Sequence, residues 1–262
     1  MIGRVALFLA FAAISAAASA ATVCKDDRRI VGGVDTKIED HLWQVAISVP
    51  FGDGTSEFCG GSLIQEHWIL TAAHCFSSKG SSGARVKAGI ASPDIGIWAE
   101  AQKIFIHEQY NPQTQENDIA LIKLNDTLAG DIIPLAQPGI KLKPCEKLEV
   151  TGWGAINEKG PLAETLQLAQ VPLVDNATCN AKDAYNGAIK PGMMCAGYRA
   201  GGIDACQGDS GGPLVLRGND GPILVGVVSW GEGCARKLRY GVYTRVDVYS
   251  DWIANTILAN QN

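Results

Sequence analysis

A chain of 262 residues, 47% of them hydrophobic, has the apolar material for a sizeable core, and its formal charge of −5 leaves no basic excess for a nucleic-acid surface. Residues 1–29 carry four basic and two acidic groups; without them 18 basic and 25 acidic residues remain, a net of −7. That balance suits cationic partners better than anionic ones.

The first 20 residues, MIGRVALFLAFAAISAAASA, read as a secretory leader: Arg4 is the positive end, Val5 to Ile14 the apolar run, and Ala18-Ser19-Ala20 the cleavage site. The apolar part is short for a bilayer span, so a membrane anchor is the weaker reading and a secreted, extracellular chain is expected. Export puts the eight cysteines, Cys24, Cys59, Cys75, Cys145, Cys179, Cys195, Cys206 and Cys234, in an oxidising compartment. None forms a tight C-x-x-C pair, so disulfides are expected and a metal site is not.

The 233 residues after Arg29 suit a single all-β unit. Period-2 alternation appears at once in WQVAISV, where Trp43, Val45, Ile47 and Val49 share a face. Further short apolar runs, SLIQEHWILTAA, LEVTGW and ILVGVVSW, are separated by Gly, Asn, Asp and Pro turns. The turn-rich AQPGIKLKP, residues 136–144, reads as a mid-chain crossover. Only the tail is helical in pattern: Val248, Tyr249, Trp252, Ile253 and Ile257 form one stripe, expected to dock on the body.

Ser210 lies in DACQGDSGGP, a glycine-rich turn. A serine hydroxyl becomes a useful nucleophile when a base takes its proton and an acid orients that base. Of the four histidines, His41, His67, His74 and His107, only His74 directly precedes a cysteine, Cys75, that could staple its loop. Asp118 heads the apolar strand NDIALIKL, where a carboxylate is costly unless it is hydrogen-bonded or paired.

IVGG (30–33), LTAAHC (70–75), NDIALIKL (117–124), GDSGGP (208–213) and SWGEGC (229–234) resemble, in order, the motifs of the chymotrypsin-like serine proteases, and the likeness covers residues 30–257. The resemblance implies two packed six-stranded antiparallel Greek-key β-barrels with a C-terminal α-helix. With the leader read as a signal peptide at 1–20, the resemblance implies an activation propeptide at 21–29 and a peptidase domain at 30–262. Within that domain the N-terminal barrel would run about 30–135, the C-terminal barrel about 145–245 and the helix about 247–258.

By the same resemblance His74 is the base, Asp118 its orienting acid, Ser210 the nucleophile, and the Gly208 and Ser210 amides the oxyanion hole. Asp204 corresponds to the pocket floor, Gly231 and Gly241 to its walls, and Ser229 to a residue near Asp118 and the substrate backbone. A floor carboxylate selects Arg or Lys, and Ala205 offers no hydroxyl to a lysine ammonium, which favours Arg modestly. Cleavage between Arg29 and Ile30, by another protease or by the enzyme itself, would free an ammonium to pair with Asp209.

The family pattern joins Cys59 to Cys75, Cys179 to Cys195 and Cys206 to Cys234. Cys24 and Cys145 are left over, either bonded to each other or free or intermolecular. Ile90 stands where vertebrate trypsins carry a calcium-ligating Glu, so no calcium loop is carried over. Tyr240 stands where some relatives bind sodium, though a packing tyrosine is the plainer reading. Asn125 and Asn176 head N-x-[ST] sequons and are candidate glycosylation sites. Expected partners are peptide and protein substrates and proteinaceous protease inhibitors, with the chain a monomer and no membrane or nucleic acid involved. A catalytically dead binding protein and a narrow cascade protease are the alternatives.

Overall fold

The computed structural model describes Cys24 and residues 33–51, 54–77, 83–88, 92–93 and 98–261. The leader, the Arg29–Ile30 junction and Ile90 lie outside the described residues.

After a two-residue strand, β1 (Val34–Asp35), the chain builds a first antiparallel barrel from β2 (Gln44–Pro50), β3 (Ser56–Gln65), β4 (Trp68–Thr71), β5 (Arg85–Ala88), β6 (Ala99–Ile106) and β7 (Ala120–Leu124). It closes in the order β2-β3-β4-β7-β6-β5. The second barrel uses β8 (Lys147–Gly152), β9 (Gln167–Val174), β10 (Met193–Ala196), β11 (Pro213–Gly218), β12 (Gly221–Trp230) and β13 (Gly241–Arg245). Its order is β9-β10-β13-β12-β11-β8, and a β8–β9 pairing closes it. The turn-rich stretch around residue 140 lies in the crossover between β7 and β8. β1 does not join the N-terminal barrel that the sequence assigns to it; it pairs with β9 of the second, Val34 opposite Leu168.

The alternation in β2 marks the barrel interior, where Val45, Ile47 and Val49 are fully buried. The residues of the opposite face, Gln44, Ala46 and Ser48, are buried as well. The reason is the second barrel. Ala46 packs with Trp153 and Leu166, and Gln44 Oε1 accepts the Thr151 hydroxyl at 2.7 Å. Small and polar side chains on β2 thus form the seam between barrels, and each buried aliphatic beneath them contributes about 1.5–3 kcal/mol.

The tail forms a 3-10 turn (Val246–Val248) and then helix α3 (Ser250–Ala259). Tyr249, Ile253 and Ile257 are buried against the first barrel's core, as the stripe requires. Val248 is 49% exposed, because the tighter turn rotates it outward and buries Val246 instead. Trp252 Nε1 donates to Glu108 and Lys123 Nζ to the Asn260 carbonyl, which ties the last element to the first barrel. Among the described residues no helix is long and apolar enough to cross a membrane.

Candidate active site

His74 opens the one-turn helix α1 (His74–Ser77) directly after β4, and Cys75 beside it is bonded to Cys59 of β3. Asp118, fully buried, lies just ahead of β7. Its Oδ1 accepts the His74 amide at 2.9 Å and its Oδ2 the His74 ring Nδ1 at 2.8 Å. Oδ2 also accepts the hydroxyl of Ser229, which comes from β12 of the other barrel. Thr244 of β13 holds the Asp118 carbonyl at 2.7 Å. A carboxylate only accepts, so the proton is on Nδ1 and the free lone pair on Nε2. Burial disfavours the charged imidazole, but the Asp118 hydrogen bond and charge, with a further contribution from Glu57, outweigh it and raise the His74 pKa above its usual 6.5.

The Ser210 loop comes from the second barrel and is pinned to the first. The Gly60 amide of β3 donates to the Ser210 carbonyl at 2.7 Å, and the Gly211 amide donates to Val228 at 2.8 Å. Gly208 takes a φ of +96°, open to glycine at little cost. Among the described residues neither the Gly208 nor the Ser210 amide donates to a protein acceptor. The structure therefore brings His74, Asp118 and Ser210 to one inter-barrel edge, with two unspent amides beside the serine.

Ser210 also lines a cavity of about 120 Å³ with Asp204, Ser229, Gly231, Gly241 and Tyr243. Asp204 is held by two backbone amides, Ala205 at 2.9 Å and Ala235 at 3.3 Å. Burial pushes its pKa to about 7 against the pull of those amides, with the Asp209 charge adding to the rise. A Cβ on Gly241 would lie 2.5 Å from Asp204 Oδ1, so glycine is what allows the carboxylate to sit there. The Cys206–Cys234 disulfide joins the two loops flanking the cavity. Tyr243, two residues beyond Gly241, was missed by the sequence reading. Its buried hydroxyl has no hydrogen-bond partner among the described residues, and the period of two from Gly241 was the available signal.

Asp209 faces the other way. Its carboxylate accepts the Gly154 amide at 2.8 Å and the Cys206 amide at 2.9 Å, and burial raises its pKa to about 6. Side chains on Gly152 or Gly154 would collide with it. These two glycines, a GWG spacing in the sequence, form a cradle that the sequence reading did not identify. The larger cavity, about 390 Å³, lies here and includes Asp209, Asp204 and Gly33 but not Ser210.

Cys24 is bonded to Cys145 and Cys179 to Cys195. The sulfurs of Cys59 and Cys75, near His74, are spent in their own disulfide and offer no thiolate to a metal. In the stretch whose sequence did not support a calcium loop, the Lys87 ammonium donates to the Pro93 carbonyl at 2.8 Å and lies 4.4 Å from the Trp98 ring centre. Tyr240 is buried, with its carbonyl accepting the Tyr185 hydroxyl at 2.7 Å. Asn125 is exposed after β7, and Asn176 is exposed at the start of helix α2 (Asn176–Cys179).

Two closed barrels with this histidine, carboxylate and serine at their junction define a serine-protease scaffold. Residues 30–253 match the family model described as Trypsin, and the chain belongs to that family of serine proteases. It is similar to the mouse (Mus musculus) protein Transmembrane protease serine 11C, with 37% identity over 240 residues that cover 89% of this chain and 55% of the relative. The chain thus spans about half the length of the curated relative it matches.

The raised His74 pKa has two consequences of opposite sign. The neutral imidazole is lost as pH falls through that pKa, whereas the stability drawn from its ion pair with Asp118 is fully present below 6.5 and is lost as pH rises from there through the raised folded value. In a Ser210→Ala protein, the His74 imidazole is expected to titrate above pH 6.5 by NMR, and Asp118→Asn to bring the midpoint below 6.5. A midpoint unmoved by Asp118→Asn counts against the pairing.

Proposed function

We propose that the chain is a secreted serine endopeptidase, made as a zymogen, that hydrolyses peptide bonds after Arg or Lys. The observation that carries this reading is a single cavity lined by both Ser210 and the Asp204 carboxylate. Residues 1–20 act as signal peptide, 21–29 as propeptide and 30–262 as the peptidase domain.

In the proposed mechanism Ser210 Oγ attacks the scissile carbonyl carbon while His74 Nε2 takes the hydroxyl proton. Asp118 keeps the imidazole in the required tautomer and stabilises the imidazolium. The developing oxyanion accepts from the Gly208 and Ser210 amides, which need no reorganisation to receive it. The imidazolium then protonates the leaving amine as the C–N bond breaks. Water attacks the acyl ester by the same route, and Ser210 regains its proton. Substrate backbone pairs along Ser229 to Gly231 as an added strand.

Specificity follows from electrostatics. A half-buried carboxylate gains a charge-assisted partner when an Arg or Lys side chain enters. Ala205, which lines the same cavity, has no hydroxyl for a lysine ammonium, so Arg is favoured modestly over Lys.

Activation follows from Asp209. Gly33, three residues after Ile30, lines the cavity that Asp209 also lines. Three extended residues reach about 10 Å, so an Ile30 ammonium freed by cutting after Arg29 lies within range of that carboxylate. Its charge offsets the burial that raises the Asp209 pKa, and the pair orders the adjoining Gly208–Ser210 amides. The Cys24–Cys145 bond keeps the cut propeptide attached. The activator is another trypsin-like protease or the enzyme itself. Proteinaceous inhibitors occupy the same cleft.

A narrow protease held at a membrane is a second reading, favoured by the printed name of the mouse relative. N-terminal sequencing of secreted and membrane-bound material separates the two.

Asp204→Ser is expected to lower kcat/KM on Arg peptides about 10³-fold while an acylating label still reaches Ser210. Retained Arg cleavage excludes the proposed pocket chemistry. The Arg29→Gln precursor is expected to stay almost inactive after treatment with trypsin; full activity without the cut overturns the switch.

A further inference from the structure

His41 is 2% exposed, lies far along the chain from the serine-protease residues, and sits between two partners from different parts of the fold. Arg217 Nη2 of β11 is 3.2 Å from its Nδ1, and Thr36 Oγ1 is 3.0 Å from its Nε2. A guanidinium only donates, so Nδ1 accepts; the single ring proton is therefore on Nε2 and is donated to Thr36. Neutral imidazole in this one tautomer satisfies both partners, and no other protonation state does.

The surroundings fix the geometry. Arg217 Nε pairs with Glu149 of β8 at 2.8 Å, and its Nη2 also donates to the Asp40 carbonyl at 2.9 Å. The guanidinium lies 5.3 Å from the Trp43 ring centre, and His41 meets Trp43 edge-on at 5.8 Å. The charged groups facing His41 are thus Arg217 from β11, Glu149 from β8 and Asp40 from the preceding 3-10 turn.

We propose that His41 is an acid-sensitive latch that holds residues 33–41 on the second barrel. At the start of this segment β1 pairs with β9 and the Thr36 amide donates to the Leu166 carbonyl at 2.9 Å; at its end His41 clasps Arg217 and Thr36. Between its ends the Asp35 carboxylate accepts from Thr165 and Gln167 and Ile38 is buried with Trp153 and Leu166, so the latch governs the outer end of the segment. Adding a proton to Nδ1 turns the acceptor into a donor facing a donor, and places a buried imidazolium against the inner edge of a guanidinium that is otherwise exposed.

Burial first and the Arg217 charge second hold the His41 pKa below 6.5, while Glu149 and Asp40 oppose them. The unfolded chain takes up this proton before the folded one does, so stability is lost as pH falls from 6.5 toward the lower folded value. This sign is opposite to that of His74. His107, also lowered by burial, shares it, so global stability alone does not isolate the latch. The functional consequence rests on the activation reading above: Gly33 begins the same segment, so its release withdraws the stretch that delivers Ile30 to Asp209.

The test uses the full chain carrying Ser210→Ala and reads no catalysis, so it stands or falls separately from the activation reading. Imidazole nitrogen NMR is expected to show the Nε2–H tautomer for His41 and a midpoint below 6.5. Over the same titration the exchange protection of the Thr36 amide is expected to fall at least tenfold while β8–β11 amides keep theirs. His41→Asn, whose amide oxygen can take the place of Nδ1, is expected to remove that pH dependence. If that variant fails to fold, Arg217→Met supplies the second reading, with the His41 midpoint expected to rise. An Nδ1–H tautomer, Thr36 protection that is flat through the titration, or an unmoved midpoint in Arg217→Met overturns the proposal.

Discussion

Two half-buried carboxylates constrain the loop that carries Ser210. Asp204 and Asp209 flank one short loop, and among the described residues their hydrogen-bond donors are backbone amides alone. Amides satisfy the oxygens but supply no full positive charge, and both groups are held well above the ordinary carboxylate range. Such sites persist where a cation joins them for at least part of the working cycle. In the proposed function a substrate side chain does so at Asp204 and a freed amino terminus at Asp209.

The second constraint is the division of labour between barrels. The first contributes His74, just after β4, and Asp118, just ahead of β7, both strands being anchored in its core. The second contributes Ser210 and Ser229. The parts meet only because β2 gives up a wet face and packs small or polar side chains against Trp153 and Thr151. Ser229 reaching across to Asp118, and Gly60 reaching across to Ser210, mean that the seam and the site are the same structure. In the proposed function any drift between barrels separates His74 from Ser210, and positioning errors near 1 Å are costly in catalysis.

Much of this was legible in the sequence, and the parts that were not share a cause. His74, Asp118 and Ser210 stand in local motifs, so their company was readable before any contact was known. The strands of the first barrel announce their interior face through period two, as Val45, Ile47 and Val49 do. Gln44 gave no comparable signal, since a polar residue on the outer face reads as solvated until a second barrel covers it. Gly152 and Gly154 looked like turn glycines, because what makes them necessary is a carboxylate 55 residues away from Gly154 along the chain. His41 is of the same kind: the Arg217 that meets it lies 176 residues away along the chain, which local pattern does not encode. Val248 failed for a different reason, since the helical period was extended through residues that wind more tightly.

The central claim, that a protonatable acid at the base of the Ser210 cavity trades its proton for a cationic guest, can be counted directly. Calorimetry of benzamidinium binding to the Ser210→Ala enzyme, cut after Arg29 and run in buffers of different ionisation enthalpy, measures protons released per guest. With burial raising the Asp204 pKa to about 7, release of a fraction of a proton is expected at pH 7, vanishing near pH 9. No proton release at pH 7, together with an affinity that does not vary between pH 6 and 9, would contradict the account.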